Sequence, residues 1–221
     1  MKNCIINYAK DGREQYVKGS KRLCQSLRDV GYKGGYMLWH DYPLRWKHLE
    51  RVSHSFKTLM FMEAFDSGYD NVLWLDASVV VLKPLNPIFE VIEDEGSFLV
   101  ENNGCLQAQW AGEEQLEALG CTVEEAKTYL MCRSGVMGFN QSLASCLLRD
   151  AREAMYRGGI AYNGSSTSSF DGFVEPRHDQ VVFSHLAHKW NLPLWKGGIA
   201  RYTGEGGVVE PYFEFRSMGG L

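Results

Sequence analysis

Short apolar runs alternate with amphipathic segments along this chain of 221 residues. The apolar runs are rich in β-branched and aromatic residues, whereas the segments between them carry apolar residues three and four positions apart, as amphipathic helices do. The runs predict strands at 4–9, 35–39, 72–75, 97–100 and 135–139. The other segments predict helices at 14–30, from Ser53 or Ser55 to Gly68, and at 84–92, 123–130, 143–156 and 179–190. Strands and helices that alternate in this way predict an α/β fold with a largely parallel sheet covered on both faces.

Several residues predict where individual elements start and stop. Thr122 and Glu125 have the spacing of a capping box, which starts a helix at Val123. Gly31 and Gly68 are suited to end the first two helices. The stretch 158–176 is long, small and polar, and loops longer than about 15 residues in compact domains are usually functional or mobile.

The segment from Asn71 to Leu85, NVLWLDASVVVLKPL, carries the strongest chemical signal. A buried strand ends abruptly at Asp76, and the hydroxyl residue Ser78 follows after Ala77. Ligands of open α/β sheets bind at the carboxyl ends of strands. A carboxylate there, closely followed by a second oxygen ligand, is suited to a divalent cation and the phosphates that it carries. Asp76 could instead cap a turn, but the pattern favours nucleotide-sugar chemistry.

Composition narrows the class of protein. The chain has 27 acidic and 23 basic residues, a formal charge of −4, which argues against a nucleic-acid partner because phosphate neutralisation needs a basic surface. No apolar run approaches the ~20 residues of a membrane span, and the start MKNCIINYAK is typical of a first strand rather than a signal peptide. The six cysteines form no C-x-x-C pair, so we expect reduced thiols in a cytoplasmic protein.

Four segments in this order resemble the GT-A family of nucleotide-sugar glycosyltransferases: CIINYA, HSFKTLMFMEAFDSGYDNVLWLDASVVVLKPL, CRSGVMGFNQS and RHDQVVFSHL. More loosely, the chain resembles the small glycosyltransferase domains of large algal DNA viruses, which would place it in the host cytoplasm. The resemblance implies a single Rossmann-like GT-A domain over 1–221, with a mixed, mostly parallel sheet. Residues 1–100 would be the nucleotide-binding half and 101–221 the acceptor-side half.

The resemblance also implies roles for individual residues. The family's acid-x-acid motif binds Mn²⁺ or Mg²⁺; here Asp76 matches its first acid, but Ser78 replaces the second, and a hydroxyl is a poorer cation ligand than a carboxylate. A metal at Asp76 and Ser78 would therefore be weakly held or completed by the donor. The residues implied in binding the nucleotide sugar are Asn7 and Tyr8 at the base, Arg13 and Lys57 at the phosphates, Asp76, Ala77 and Ser78, and Gly135 on the sugar side. A solvated lysine and an ordinary loop arginine are the alternatives for Lys57 and Arg13.

Asp179 is the candidate general base that removes a proton from the acceptor hydroxyl. An acid at a helix N-terminus is also ordinary capping chemistry, and Glu101 and Asp171 are the other acids that could serve. Together these features predict transfer of a hexose from a UDP-sugar to a glycan hydroxyl, with inversion. A non-catalytic sugar-nucleotide-binding module and a sugar nucleotidyltransferase are the alternatives, and the domain could be part of a longer multidomain chain. Three tryptophans could form a sugar-stacking platform: Trp110, Trp190 and Trp195.

Overall fold

A six-stranded sheet forms the centre of the protein. The computed structural model describes residues 1–52, 54–156, 159–164, 167–196, 198–203 and 210–217. The strands in this part of the chain are β1 (Asn3–Tyr8), β2 (Gly35–Trp39), β3 (Asn71–Leu75), β4 (Val79–Val81), β5 (Ser97–Leu106), β6 (Leu130–Asn140), β7 (Leu194–Trp195), β8 (Ala200–Tyr202) and β9 (Phe213–Phe215). The large sheet has the order β2-β1-β3-β6-β5-β7.

The pairing in the large sheet is mixed. β1 runs parallel to both β2 and β3, and β5 runs parallel to β7. β6 lies between β3 and β5 and is antiparallel to both. The predicted mixed, mostly parallel α/β sheet is thus confirmed. Since β3 pairs with β6, the expected nucleotide-binding and acceptor-side halves share one sheet.

Helices cover both faces of this sheet. They are α1 (Glu14–Asp29), α2 (Phe56–Asp66), α3 (Asn86–Glu95), α4 (Glu113–Leu119), α5 (Val123–Ala126), α6 (Gln141–Tyr156), α7 (Ile160–Asn163) and α8 (Asp179–Lys189), with 3₁₀ turns at Leu44–Leu49 and Gln107–Gln109. None of the helices in the described ranges combines the length and apolar character needed to cross a bilayer.

Two hydrophobic clusters lie on opposite faces of the sheet. Because side chains alternate along a strand, Trp74 of β3 packs in one cluster while Leu73 and Leu75 pack in the other. The Trp74 side also holds Phe61 of α2 and Phe183 of α8, both at most 1% exposed. The opposite side is covered by α1 and α3. Burial on both faces explains why β3 is apolar throughout.

Some predicted boundaries needed correction. The capping box at Thr122 is present, with Glu125 N donating to Thr122 Oγ1 at 3.2 Å, but its helix ends at Ala126 because Leu130 already belongs to β6. β5 and β6 extend beyond their apolar parts because they pair with each other. Ser55 does not cap α2 with its side chain; its hydroxyl donates to Leu49 O at 3.1 Å instead. Ser53, the other expected cap, lies outside the described residues.

A small three-stranded sheet, β4-β9-β8, packs beside the segment that follows β3. β4 is antiparallel to β9, and β9 is parallel to β8. Directly after β9, Arg216 N donates to Ser78 O at 2.9 Å. A late part of the chain is therefore attached to the Asp76–Ser78 loop, which the glycine-rich, aromatic sequence after Pro193 did not predict.

Candidate active site

A cleft of about 480 Å³ opens where β1 and β3 end. β2 and β3 lie on opposite sides of β1, so the strand order reverses there, and open α/β sheets bind ligands in the crevice at such a point. We call this space the first cleft. It is lined by Tyr8, Lys10, Arg13, Tyr16, Tyr42, Glu50, His54, Phe56, Lys57, Trp74, Asp76, Ala77, Ser78, Ser134, Arg177, His178, Asp179 and Gln180.

Lys57 is the charged centre of the first cleft. Its side chain is 5% exposed, and its Nζ lies 3.2 Å from Asp76 Oδ1 and 2.8 Å from Asp179 Oδ2. Nζ also donates to Ser134 O at 2.7 Å and lies 5.3 Å from the centre of the Trp74 ring. One ammonium thus joins α2, β6, the end of β3 and the start of α8. The solvated lysine that the sequence allowed is not what the structure shows.

The ion pairs fix the charge states of this centre. Burial favours neutral Lys57, but the attraction of Asp179 and Asp76 outweighs it and raises the Lys57 pKa. Burial likewise acts to raise the pKa of Asp179, but the nearby positive charge of Lys57 outweighs it and lowers that pKa. Asp179 is therefore an ionised, buried counter-charge. A lowered pKa makes it a weaker base, so this geometry does not favour the expected role in proton removal.

Asp76 keeps part of its carboxylate open. Trp74 Nε1 donates to Oδ1 at 2.6 Å, and Lys57 pairs with the same oxygen. Oδ2 has no such contact with the described residues, and the residue is 35% exposed at its side chain. Ser78 O accepts a hydrogen bond from Arg216 N, and Ser78 lines the same cleft as Asp76.

These donors fit a divalent cation only in part. The described residues contain no group of three or more His, Cys, Asp or Glu side chains that could hold a metal ion. Mg²⁺ binds through one or two carboxylates together with substrate phosphates and water. Asp76 Oδ2 and the Ser78 hydroxyl would fit a cation whose remaining ligands come from a bound diphosphate.

An aromatic wall lines the side of the first cleft that faces β1. The Tyr8 and Phe56 rings lie 4.7 Å apart, and Phe56 lies 5.7 Å from Trp74. His54 and His178 stack at 4.3 Å. Burial disfavours the charged form of both groups. It raises the pKa of Tyr8 and lowers the pKa of His54. Tyr8 and His54 are therefore neutral at pH 7, and the flat rings of the wall are suited to stacking a planar base.

Two basic residues lie beyond the end of β1. Lys10 Nζ pairs with Glu50 at 3.0 Å, so its charge is balanced. Arg13 is at the N-terminus of α1, with its guanidinium 5.9 Å from the Tyr16 ring. No acidic partner of Arg13 occurs among the described residues, so its charge remains available to a ligand.

Other predicted site residues are placed differently. Asn7 is fully buried, lines neither cleft, and its Nδ2 donates to Leu75 O at 2.5 Å. This placement supports a role in holding β1 to β3, not the expected contact with a base. Ala77 is 3% exposed, and α1 approaches it closely: a Cβ on Gly19 would lie 2.4 Å from Ala77 O. Gly19 is thus the residue that lets α1 support the loop, and the sequence did not single it out.

A second cleft, of about 490 Å³, adjoins the first. Its lining comprises Asp76, Ser78, Asn102, Trp110, Arg133, Ser134, Gly135, Arg177, Gln180, Tyr202, Thr203, Phe215, Arg216 and Ser217. A Cβ on Gly135 would lie 2.6 Å from the Phe215 ring and 3.1 Å from Asp76 Oδ2, so a side chain there would block the passage between the clefts. Gly135 lines the second cleft, and its expected sugar-side role stays a prediction.

The three tryptophans do not form one platform. Trp110 lies against Arg177, Trp190 donates to Asp150, and Trp195 packs on Phe98. Glu101 and Asp171 line neither cleft. The sequence reasoning missed Phe56, His54 and His178 as wall residues and Arg133 as a cleft residue. Their closeness depends on long-range packing that no local spacing reveals.

The sheet order and the cleft at the ends of β1 and β3 define a Rossmann-like α/β protein. No protein-family model matches the sequence, and no curated protein matches it significantly.

Solved structures do share the fold. One is a glycosyltransferase involved in the glycosylation of the major capsid of PBCV-1, with a TM-score of 0.60 and 13% identity over 99% of this chain and 96% of that chain. Another is mouse xyloside xylosyltransferase 1 in its apo form, with a TM-score of 0.58 and 13% identity over 97% of each chain. The predicted resemblance is confirmed for the fold.

Proposed function

We propose that the protein transfers a sugar, a hexose, from a nucleoside diphosphate donor, UDP in the first instance, to a hydroxyl of a glycan acceptor. The observation that carries the proposal is the buried Lys57 ammonium held beside Asp76 in the lining of a cleft at the ends of β1 and β3. The fold shared with two glycosyltransferases supports it.

The first cleft fits the nucleotide part of such a donor. The base would stack on the wall of Tyr8 and Phe56. The diphosphate would then lie between Arg13 and the Asp76–Ser78 loop, where both clefts meet. The sugar would point past Gly135 into the second cleft. Base, diphosphate and sugar are placed in this order because Tyr8 lines the first cleft, Asp76 and Ser78 line both clefts, and Gly135 lines the second.

The chemistry proposed is displacement at the anomeric carbon. The acceptor oxygen forms a bond to that carbon, the bond to the diphosphate breaks, and the acceptor proton goes to a base. Fixed positive charge near the departing oxygen is usually the largest catalytic term, and Arg13 supplies it from the protein, while Lys57, paired with Asp76 and Asp179, holds the Asp76 carboxylate in place. Mn²⁺ or Mg²⁺ at Asp76 and Ser78 would add further charge neutralisation when bound.

Asp179 has two candidate roles in this scheme. As general base it would remove the acceptor proton, which is worth ~10²–10⁴-fold, and displacement would invert the anomeric centre. As counter-charge of Lys57 it would position that ammonium, which its lowered pKa supports. In Asp179→Asn, loss of a base would reduce kcat and remove the acidic limb of its pH profile. Loss of a positioning residue would weaken donor binding and lower stability while the limb remains.

A non-catalytic sugar-nucleotide-binding module is the second candidate. The specific observation in its favour is that Lys57 pairs with two of the acids that line the first cleft, Asp76 and Asp179. Slow hydrolysis of the donor without acceptor separates the two candidates, because a module without catalysis releases no free sugar.

The decisive experiment is calorimetric titration with UDP, GDP and CDP, each with and without Mn²⁺. We expect micromolar UDP binding that strengthens with Mn²⁺ and falls in Asp76→Ala but not in Asp29→Ala, which removes an exposed acid of α1. If no nucleoside diphosphate binds in either condition, the resemblance extends only to the fold and the function is refuted.

We also propose a cytoplasmic location, that of the host if the gene is viral. All six cysteines are free thiols, which supports a reducing compartment. The expected place within a longer multidomain chain remains a prediction.

A further inference from the structure

The Arg133 guanidinium is a buried positive charge whose counter-ion does not occur among the described residues. Its residue is 4% exposed. Nε donates to Glu101 O at 3.3 Å, and the guanidinium lies over the rings of Tyr202 and Phe215, at 5.0 and 5.7 Å. Nη1 is buried without a hydrogen-bond partner. In the described part of the chain, no carboxylate forms an ion pair with it.

Such an arrangement needs an explanation because buried charges are normally paired. Aromatic faces attract a cation but do not satisfy its N–H donors. A buried, unsatisfied donor loses its hydration without compensation. Among the described residues nothing satisfies this donor, and Arg133 lines the second cleft, where a ligand could complete it.

The two other arginines of the second cleft differ from Arg133. Arg177 pairs with Glu175 at 2.9 Å, and Arg216 pairs with Glu214 at 2.6 Å. Both are about half exposed, at 47% and 44%. Arg177 and Arg216 thus each have an acidic partner within the protein, whereas Arg133 has none among the described residues.

The position of Arg133 indicates which part of a substrate the anion belongs to. Asp76, Ser78 and Ser134 line both clefts, but Lys57 lines the first alone and Arg133 the second alone. With the donor base on the Tyr8 wall and its diphosphate at the shared residues, Arg133 lies beyond the diphosphate, on the side of the sugars.

We propose that Arg133 recognises the carboxylate of an acidic sugar bound in the second cleft. The planar guanidinium fork matches a carboxylate with two parallel hydrogen bonds, and Tyr202 and Phe215 fix the plane of that fork. The acidic sugar is either the group transferred or a unit of the acceptor. This proposal rests on the proposed function in one respect, since the placement of the donor puts Arg133 on the sugar side of the diphosphate.

The test observes the guanidinium directly. The Nε–Hε signal of Arg133 in an arginine ¹H–¹⁵N spectrum is identified by its absence in Arg133→Met. Titration with glucuronate should shift this signal to saturation, whereas glucuronic acid methyl ester and methyl glucoside should leave it in place. Loss of a charged hydrogen-bond pair corresponds to about tenfold to hundredfold weaker glucuronate binding in Arg133→Met. Arg133→Lys keeps the charge but not the planar fork, so its affinity for glucuronate should lie between those of wild type and Arg133→Met.

Stability provides the second readout. Removing a buried charge that lacks a protein partner should leave the melting temperature of the ligand-free protein within a few degrees of wild type. Arg149→Met is the matched surface control, since Arg149 is 57% exposed and lines neither cleft. A large drop in the melting temperature of Arg133→Met alone would mean that the guanidinium has a structural partner, and would overturn the proposal.

Further titrations show which anion Arg133 binds, and they distinguish failure of this proposal from failure of the proposed function. A shift caused by pyrophosphate but not by glucuronate would assign Arg133 to the leaving group and overturn the proposal. If Arg133 selects the transferred sugar, UDP-glucuronate is preferred over UDP-glucose by wild type and not by Arg133→Met. If it selects the acceptor, the preference is for acidic over neutral oligosaccharides. A glucuronate shift in a protein that binds no nucleoside diphosphate would refute the glycosyltransferase function and leave the carboxylate site standing.

Discussion

Replacing Lys57 by methionine should destabilise the protein strongly, because it leaves a buried acid without its cation. Asp179 is 8% exposed at its side chain and lies 2.8 Å from Lys57 Nζ. Removing one partner of a buried ion pair costs about 3–5 kcal/mol. The pair with Asp76 adds little, since that carboxylate is 35% exposed and solvent screens it. For a chain of this size the loss corresponds to a drop of roughly 6–20 °C in the melting temperature.

The pH dependence of stability should reverse in this variant. In the wild type the Asp179 pKa is lowered, so its stabilising contribution is present above the unfolded pKa of about 4 and is lost as the pH falls through the folded pKa. Without Lys57, burial raises the Asp179 pKa and the folded state binds the extra proton. Lys57→Met should therefore gain stability as the pH falls from 7 toward 5, where the wild type changes little.

Urea denaturation followed by circular dichroism, at several pH values, measures both effects. Lys57→Met combined with Asp179→Leu is the control, since replacing both partners by apolar residues is often neutral or stabilising. Lys18→Met removes an exposed lysine that pairs with Glu14 and should cost little. A loss below about 1 kcal/mol in Lys57→Met, or no recovery in the double variant, would refute the view that Lys57 and Asp179 depend on each other.

Three further changes test other parts of the structure. Gly19→Ala places a Cβ 2.4 Å from Ala77 O and should cost about 1–3 kcal/mol and weaken UDP binding through the displaced loop, whereas Lys21→Ala on the exposed face of α1 should do neither; equal effects in calorimetry would contradict this. Gly135→Val should abolish transfer while UDP binding persists, because its side chain would meet Phe215 between the clefts; turnover at the wild-type rate would show that the passage is not used. Thr122→Ala removes the capping box and should cost about 1 kcal/mol in urea denaturation, and an unchanged midpoint would show that α5 does not need its cap.

The strands of the fold were predictable where burial is continuous. β2 was predicted with both of its ends, and β3 within one residue, because apolar runs bounded by turn residues leave few alternatives. The full length of β6 could not be predicted. Its first residues include Arg133, and a charged residue in a sequence indicates the end of a buried strand. The aromatic residues of β8 and β9 that cover Arg133 lie far from it in the sequence.

The candidate site was predictable as far as single residues signal chemistry. Asp76 stands out because an acid interrupts an apolar run, and the structure places it in the lining of the first cleft. The partnership of Lys57 with Asp179 joins residues 122 positions apart, so no local pattern contains it. The same holds for the stack of His54 on His178.

The attachment of Arg216 to Ser78 affects how the protein is made. A chain is synthesised from its N-terminus, and every strand of the large sheet precedes Phe213–Phe215 in the sequence. The strands of the main sheet can thus leave the ribosome before β9 is free to pair beside the Asp76–Ser78 loop. At that stage the second cleft would still lack Phe215 of β9, and it would be complete only after the last described strand has emerged from the ribosome.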